Sequence, residues 1–308
     1  MKICFLVKAA TSQAQAENCT YLTQAASHLG HEVCWADIDA LHAVQGMVHA
    51  QVTSCGNEPL QWQMASLETF DLVWVLSFGR RGNFLDKIQL LHLLAERTRV
   101  VNHPLVLLFY HSKLSHHALA HRMNYPESYI DHNAERLWQI MHEKGGDWII
   151  KPTGDSLGRG VFKLTPGDAN RRVLLENLTK DGNYCLLQRY IPEVAKGEKR
   201  VLMAGGEVMG FYAKQGSDHR GNLHQGAVAQ CCDLSEKERE TCERIGRYLL
   251  EKGAYFVGID LAWPYVLEWN VLSPGGLGTL ERLGAGNQAE AVVKKVLSAP
   301  SHSLAKDL

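Results

Sequence analysis

The sequence predicts an α/β protein, in which an N-terminal parallel-sheet domain is followed by a two-part α+β domain. Three observations predict it. Strand-like and helix-like segments alternate through the first hundred residues, the pattern of a parallel sheet covered on both faces. The middle of the chain mixes short strands with helices around a glycine-rich loop. The last third carries two hairpin signals, at Gly205-Gly206 and at Trp263-Pro264. The expected boundaries are 1–104, 105–187 and 188–308.

"KICFLV" near the start reads as a buried strand, and residues 14–29 have helical composition ending at Gly30, a C-cap glycine. "HEVCWADI" and "DLVWVLSF" (71–78) are strands, "FLDKIQLLHLLAE" (84–96) is a helix, and "RVVNHP" (99–104) leaves the sheet at Pro104. The second region reads as a helix over 133–146, the strand "DWIIKP" (147–152), the loop "TGDSLGRG", the strand "VFKL" (161–164), a helix near 169–180 and the strand "NYCLLQRYI" (183–191). In the third, "RVLMAGGEVMGFYAK" is a hairpin. Ser235 with Glu238 is a capping box opening the helix 235–253. "YFVGIDLAWPYVLEWNVLS" (255–273) is a second hairpin, and a last helix covers about 286–297.

Composition excludes several classes. The 308 residues are 45% hydrophobic and 21% charged with a net charge of −1, so bulk charge points to neither nucleic acid nor an anionic membrane surface. No apolar run reaches the length of a membrane span. The apolar start is interrupted by Lys8, so the first segment reads as a strand rather than a signal peptide. The eight cysteines form no C-x-x-C pair, which is reduced, cytoplasmic usage with structural thiols.

The chemistry begins at "VLEWNVLSPGG" (266–276). Glu268 and Asn270 are two apart, so they share one face of an apolar strand. A turn centred on Pro264 puts Asp260 across from Glu268, with Asn270 diagonal to it. Two carboxylates this close repel unless a cation or proton lies between them. An all-oxygen set suits Mg²⁺. Taken alone, the pattern equally fits a hairpin with one ordinary polar face in solvent.

"KPTGDSLGRG" (151–160) follows a strand ending in Lys151. Gly154, Gly158 and Gly160 permit close backbone approach, and successive N–H groups can cradle an anion beside the lysine. It is not a Walker A loop, and a glycine-rich turn is by itself most often a simple connection. "HRGNLHQGA" (219–227) offers Arg220 and Asn222 for an oxyanion or a γ-phosphate, against the plain reading of a solvated loop.

These elements occur in the order of the ATP-grasp ligases. The stretch "QRYIPEVAKGEKRVLMAGGEV" through "RGNL", then "LLEKGAYFVGIDL" and "LEWNVLSP", resembles bacterial glutathione synthetase, strongly over about 110 residues and in outline over most of the chain. "NLHQGA" is also similar to the ligases that add glutamate to a ribosomal protein. The resemblance implies an N-terminal pre-ATP-grasp domain ahead of a two-part ATP-grasp domain. Its cofactors are ATP and Mg²⁺, with Mn²⁺ as a substitute, and its partners are a small-molecule carboxylate and an amine. It implies no nucleic acid and no membrane, and it suggests a homo-oligomer.

The resemblance also assigns roles. Asp260, Glu268 and Asn270 match the metal ligands, and Lys113 and Lys151 the two phosphate lysines. Asp155, Ser156, Leu157, Gly158 and Gly160 match the loop that closes over ATP. Gln188, Arg189, Tyr190 and Ile191 match the adenine hinge, and Glu198 the residue holding the ribose hydroxyls. Arg220 matches the arginine at the reacting carboxylate, with Asn222 and Ser273 at the same centre and Arg200 nearby. The implied reaction is carboxylate activation to an acyl phosphate followed by attack of an amine.

The amino-acid side departs from the family pattern. "LSFGRRGNF" (76–84) stands where a different stretch is expected, leaving Arg80 and Arg81 as candidates for substrate carboxylates. Lys214 stands in place of an arginine, which is not conservative at a bidentate site. Gly275 and Gly276 follow Ser273-Pro274, where the metal site hands over to the substrate site. The first expectation is a glutathione synthetase-like small-peptide ligase. A ligase acting on a protein or a natural-product precursor, and a nucleotide-binding regulator without ligase activity, are the alternatives. His117 and His121 have i, i+4 spacing but no third ligand and read as a solvated helix surface. Trp263 and Trp269 read as packing residues.

Overall fold

The computed structural model describes residues 1–8, 17–55, 60–119, 123–154, 160–216 and 227–301. The expected residues Asp155, Ser156, Leu157, Gly158, Arg220 and Asn222, and His121, lie outside them.

The first sheet contains β1 (Lys2–Val7), β2 (Glu32–Asp37), β3 (His42–Val44), β4 (Met47–Ser54), β5 (Gln63–Ser66), β6 (Leu72–Val75) and β7 (Arg99–Val101), with α1 (Glu17–His28) and α2 (Phe84–Ala95) connecting strands. The order is β3-β4-β2-β1-β6-β7, with β5 on β4. The pairs β1–β2, β1–β6 and β6–β7 are parallel as expected. Three antiparallel strands extend the sheet beyond β2, so it is mixed rather than all parallel. The added strands leave many residues exposed or half-buried, among them His42, His49, Gln51 and Gln63. Their sequence lacks the apolar run that marks a strand buried on both faces.

The short helix α3 (Pro104–Phe109) and a 3₁₀ segment, Lys113–Leu119, lead into the second unit. It comprises β8 (Ser128–Asp131), α4 (Ala134–Lys144), β9 (Trp148–Pro152), β10 (Phe162–Leu164), α5 (Arg171–Leu178) and β11 (Cys185–Arg189), with sheet order β10-β9-β11-β8. Leu137, Met141, Trp148, Ile150 and Leu187 give this unit its own core.

The third unit contains β12 (Glu198–Ala204), β13 (Glu207–Gln215), β14 (Val228–Gln230), α6 (Glu236–Glu251), β15 (Phe256–Ala262), β16 (Tyr265–Asn270), α7 (Leu277–Arg282) and α8 (Ala289–Ser298), with sheet order β14-β13-β12-β15-β16. The capping box at Ser235 and Glu238 is present. Among the described residues, no helix is long and apolar enough to cross a membrane.

The first and third units share apolar cores. Leu6 and Val75 pack in one cluster with Val201, Ile259 and Trp269, and Trp74 meets Phe256 edge-on at 6.1 Å. Buried Asn102 joins the two. It donates to the carbonyls of Phe256 (2.8 Å) and Val271 (2.6 Å) and accepts from the Tyr255 and Phe256 amides. The β15–β16 hairpin is therefore fixed to the N-terminal sheet by its ends, while its polar face is turned to the central unit.

Candidate active site

The β15–β16 register pairs Asp260 with Glu268 and Gly258 with Asn270. Side chains at these positions share a face, so the two carboxylates and the amide come together as the sequence requires. A register shift follows between Asp260 and Leu261, which leaves the functional pairs in phase and bends only the turn end.

Asp260 is 2% exposed. Burial alone would raise its pKa, but cations hold it well below the usual carboxylate range, Arg200 foremost and then Lys214. Arg200 grips it with two bonds, Nε to Oδ1 at 2.6 Å and Nη2 to Oδ2 at 2.8 Å. Arg200 Nη1 also donates to the Gly275 carbonyl at 3.0 Å. The grip follows from register, since Arg200 on β12 pairs with Asp260 on β15. Gly258 makes room for it: a Cβ there would meet Pro274 at 2.8 Å and Arg200 Cδ at 3.3 Å.

Lys214 Nζ sits 3.1 Å from both Asp260 Oδ1 and Glu198 Oε2. Arg200 and Lys214, expected among the substrate contacts, are thus placed on Asp260, the carboxylate expected to hold the metal. Glu198, expected at a ribose, is paired with Lys214. Burial pushes the Glu198 carboxyl up, Lys214 opposes this, and neighbouring Asp260 adds to the rise.

Glu268 is drawn the other way. Burial would raise its pKa, but Lys113 and then Lys151 outweigh burial and Asp260, and the net shift is downward. Lys151 reaches this site from β9, with Nζ donating to Gln188 Oε1 at 3.1 Å. Burial lowers its pKa, and Lys113 adds to the lowering. Gln188 in turn donates to Ser128 Oγ at 3.0 Å, and Ser128 donates to the Pro126 carbonyl at 2.6 Å. The Gln188 amide is held on both sides, so the chain runs from Lys151 to the 126–128 segment.

At the expected adenine hinge, the Arg189 amide donates to the Glu127 carbonyl (2.7 Å) and the Tyr190 amide to that of Asp147 (3.0 Å). The Arg189 guanidinium stacks over Trp148 at 3.8 Å and pairs with Glu127 at 3.0 Å, and Lys163 lies 3.7 Å over the Tyr190 ring. Ile191 is buried at the end of this run. Gly160 closes the glycine loop with φ +67°, where a Cβ would stand 2.9 Å from Pro152; the loop returns in a backbone state that favours glycine.

On the substrate side, Ser273 has φ +42°, and buried Asn18 of α1 donates to the Pro274 carbonyl at 2.6 Å. A Cβ on Gly276 would press on Tyr212 at 3.0 Å. Asp39 organises the 76–83 loop: it accepts from the Arg80 amide at 2.8 Å and pairs with buried Lys87. Arg81 crosses to the central unit and donates to the Gly154 carbonyl at 2.8 Å.

Sequence reasoning missed four residues here. Asn102 anchors the hairpin, and Ser128 ends the Lys151–Gln188 chain. His116 accepts from the Trp269 amide at 3.2 Å and packs edge-on against its ring. Burial, opposed by Glu268, brings its pKa down to about 3, so the ring is neutral. The Tyr125 hydroxyl is buried beside Ser128, Gln188 and Glu268. No motif marks any of them. For Asn102 and His116 the only signal is a polar residue inside an apolar segment.

Among the described residues no three His, Cys, Asp or Glu side chains form a metal cluster; the candidate set has two carboxylates and one amide. It fits a hard divalent cation. Its donors are oxygen, and the Asn270 amide nitrogen is buried without a partner, so no bond from that nitrogen fixes the amide against the protein.

Residues 112–285 match the family model of the prokaryotic glutathione synthetase ATP-grasp domain. The chain belongs to this family. The glutathione synthetase of Nostoc sp. is 29% identical over 297 residues, 89% of this chain and 91% of the relative. That of Parasynechococcus marenigrum is 32% identical over 242 residues, 76% of each. Among solved structures, a D-cycloserine synthetase superposes with TM-score 0.68 at 14% identity, covering 96% of this chain and all of that one. A macrocyclase bound with its precursor peptide, from Microcystis aeruginosa, gives 0.64 at 18%, covering 96% and 100%. These two show the fold. As a member of the glutathione synthetase family the chain is an ATP-dependent, ADP-forming ligase that makes a peptide (amide) bond.

Proposed function

We propose that this ligase activates the carboxylate of a small peptide as an acyl phosphate and joins it to the amine of an amino acid. The observation that carries the reading is the convergence of Lys113 and Lys151, from the central unit, on Glu268 of the C-terminal hairpin, where Asp260 lies opposite. Four cations, Lys113, Lys151, Arg200 and Lys214, gather around Asp260 and Glu268, with Glu198 paired to Lys214; lysines and an arginine so placed suit a polyphosphate.

Asp260, Glu268 and Asn270 hold Mg²⁺ (or Mn²⁺) in this reading. Bound there, such an ion would supply positive charge that offsets the phosphate charge during transfer. Lys113 and Lys151 bind the phosphates. The nucleotide base lies against 188–191, with its backbone contact falling to Ile191, because the Arg189 and Tyr190 amides have partners. Arg220 and Asn222 stabilise the tetrahedral oxyanion. Residues 155–160 exclude water from the acyl phosphate. Arg80, Arg81 and the Ser273–Gly276 turn form the substrate side. Arg200 and Lys214 keep Asp260 ionised and placed for the metal.

The eight cysteines are all free thiols, the usage of a reducing compartment, and we place the protein in the cytoplasm on that ground. The test of function is phosphate release with ATP and Mg²⁺ across a panel of dipeptides and amino acids. The expected result is ADP formation dependent on both an acid and an amine. Tight ATP binding with no turnover on any pair overturns the substrate class, and turnover only with a longer peptide or protein moves the acceptor to that class.

A further inference from the structure

The β3–β4 hairpin carries a feature outside the ligase site. His42 and His49 are directly paired across it, and their ring centroids are 5.7 Å apart with an interplanar angle of 34°. Both side chains are half-buried on the outer part of the N-terminal sheet. The two-residue turn between the strands, Gln45 (φ +49°) and Gly46 (φ +78°), has positive φ at both positions. This is the tight turn that holds hairpin register.

The rings are also set in one tautomer. His42 Nδ1 lies 3.1 Å from the Ala40 carbonyl, and His49 Nδ1 lies 3.1 Å from the Met47 carbonyl. A carbonyl only accepts, so each Nδ1 carries the proton and each neutral ring keeps its lone pair on Nε2. An imidazole N–H bonded to a backbone carbonyl, with the other nitrogen open, is the arrangement that orients metal-binding histidines.

We propose that His42 and His49 form a two-histidine site for a borderline-soft divalent ion of the Zn²⁺ class, bound through the two Nε2 atoms. The spacing suits it. With Zn–N bonds of about 2.0–2.1 Å, a ring centroid stands roughly 3.2 Å from the ion, so one ion can reach both rings when their centroids are within about 6.4 Å, and here they are 5.7 Å apart. Among the described residues no third His, Cys, Asp or Glu joins them. Glu68, within electrostatic reach of His49, has one oxygen on the Val48 amide and the other on the Ser66 hydroxyl. Water fills the remaining positions, and imidazole ligands select Zn²⁺ over the oxygen-preferring Mg²⁺. The ion ties β3 to β4.

The test titrates the full chain with Zn²⁺ in excess Mg²⁺, following binding by calorimetry and the thermal midpoint. The wild type should bind one more equivalent than the H42A/H49A double variant and rise in midpoint with zinc. Each single variant, H42Q or H49Q, should bind at least about tenfold more weakly, because one of two anchoring ligands is lost. Equal zinc binding by wild type and double variant assigns the metal to thiols or other groups and overturns the site, as does no binding by the wild type. The single glutamine variants keep a polar side chain of similar length, so an unfolded double variant still leaves a decisive comparison.

Discussion

Arg200 holds Asp260 by a two-point grip, Nε to Oδ1 at 2.6 Å and Nη2 to Oδ2 at 2.8 Å, in a place where Asp260 is 2% exposed. The arginine is raised in pKa by that carboxylate despite the penalty of its own burial. Each side chain therefore makes the other's charge tenable. Lys214 supplies a second cation to the same carboxylate, and Glu198 balances Lys214. Asp260, Arg200, Lys214 and Glu198 form a four-residue charge network before any ligand is considered.

Replacing Arg200 with alanine should destabilise the protein by about 3–5 kcal/mol, because it strands a buried carboxylate. R200K keeps the charge and loses the two-point geometry. It should recover most of the stability but little of the turnover. Urea unfolding and initial rates on the two variants separate the contributions. Equal rates in R200K and wild type would show that the fork geometry is irrelevant to catalysis.

Asp260→Asn and Glu268→Gln should each abolish turnover with the fold retained, since both variants keep shape and some hydrogen bonding but remove a hard anionic ligand; Asp260→Asn should also lower stability, because it leaves buried Arg200 without its carboxylate. The Mg²⁺ concentration for half-maximal rate should rise in any residual activity. Circular dichroism establishes the fold and phosphate release the rate. Near-normal activity in both variants contradicts the metal assignment.

Much of this site was legible in the sequence, and its limits are physical. The pairing of Asp260 with Glu268 follows from a turn at Pro264 and the two-residue period of a strand, so local arithmetic reached it. The partners of Asp260 do not follow from local pattern, because Arg200 comes from β12 through long-range pairing. Arg200 and Lys214 were expected at the substrate through the family resemblance, and their ion pairs with Asp260 come through the same long-range pairing. Strands β3 to β5 were missed because β3 and β5 are short and β4 breaks its apolar pattern with His49, Gln51 and Thr53, although "VQGM" (44–47) is a turn signal between β3 and β4. Helix α7 is hidden in the glycine-rich "GGLGTLERLG", where propensity argues against a helix and burial of Leu277 and Leu280 overrides it.

Acid should weaken the central unit. Asp131 is pulled down to about 2, chiefly by Arg136, and Glu127 to about 2, chiefly by Lys144. Both folded values lie below those of the unfolded chain, near about 4. Their stabilisation is therefore fully present above the unfolded values and is lost as pH falls from there through about 2. Both groups are partly solvent-screened, so the loss is modest. Tryptophan fluorescence of Trp148 and Trp138 during urea unfolding at stepped acid pH reads it. D131N should flatten this part of the profile, and an unchanged profile in D131N removes Asp131 as a source.

Asn102 gives the last prediction. Its side chain satisfies two carbonyls and two amides at the junction between the N-terminal sheet and the β15–β16 hairpin. Alanine leaves all four buried groups unpaired, each worth about 1–3 kcal/mol when orphaned, so N102A should unfold at markedly lower urea. Asp at the same position keeps both acceptor contacts and loses both donors to Phe256 and Val271. Its carboxylate then faces two carbonyls in a buried site. N102D should therefore be no more stable than N102A at neutral pH and should recover as the acid protonates. A stability of N102D that is independent of pH would show that residue 102 is not buried against those carbonyls, and the anchoring of the β15–β16 hairpin would need another source.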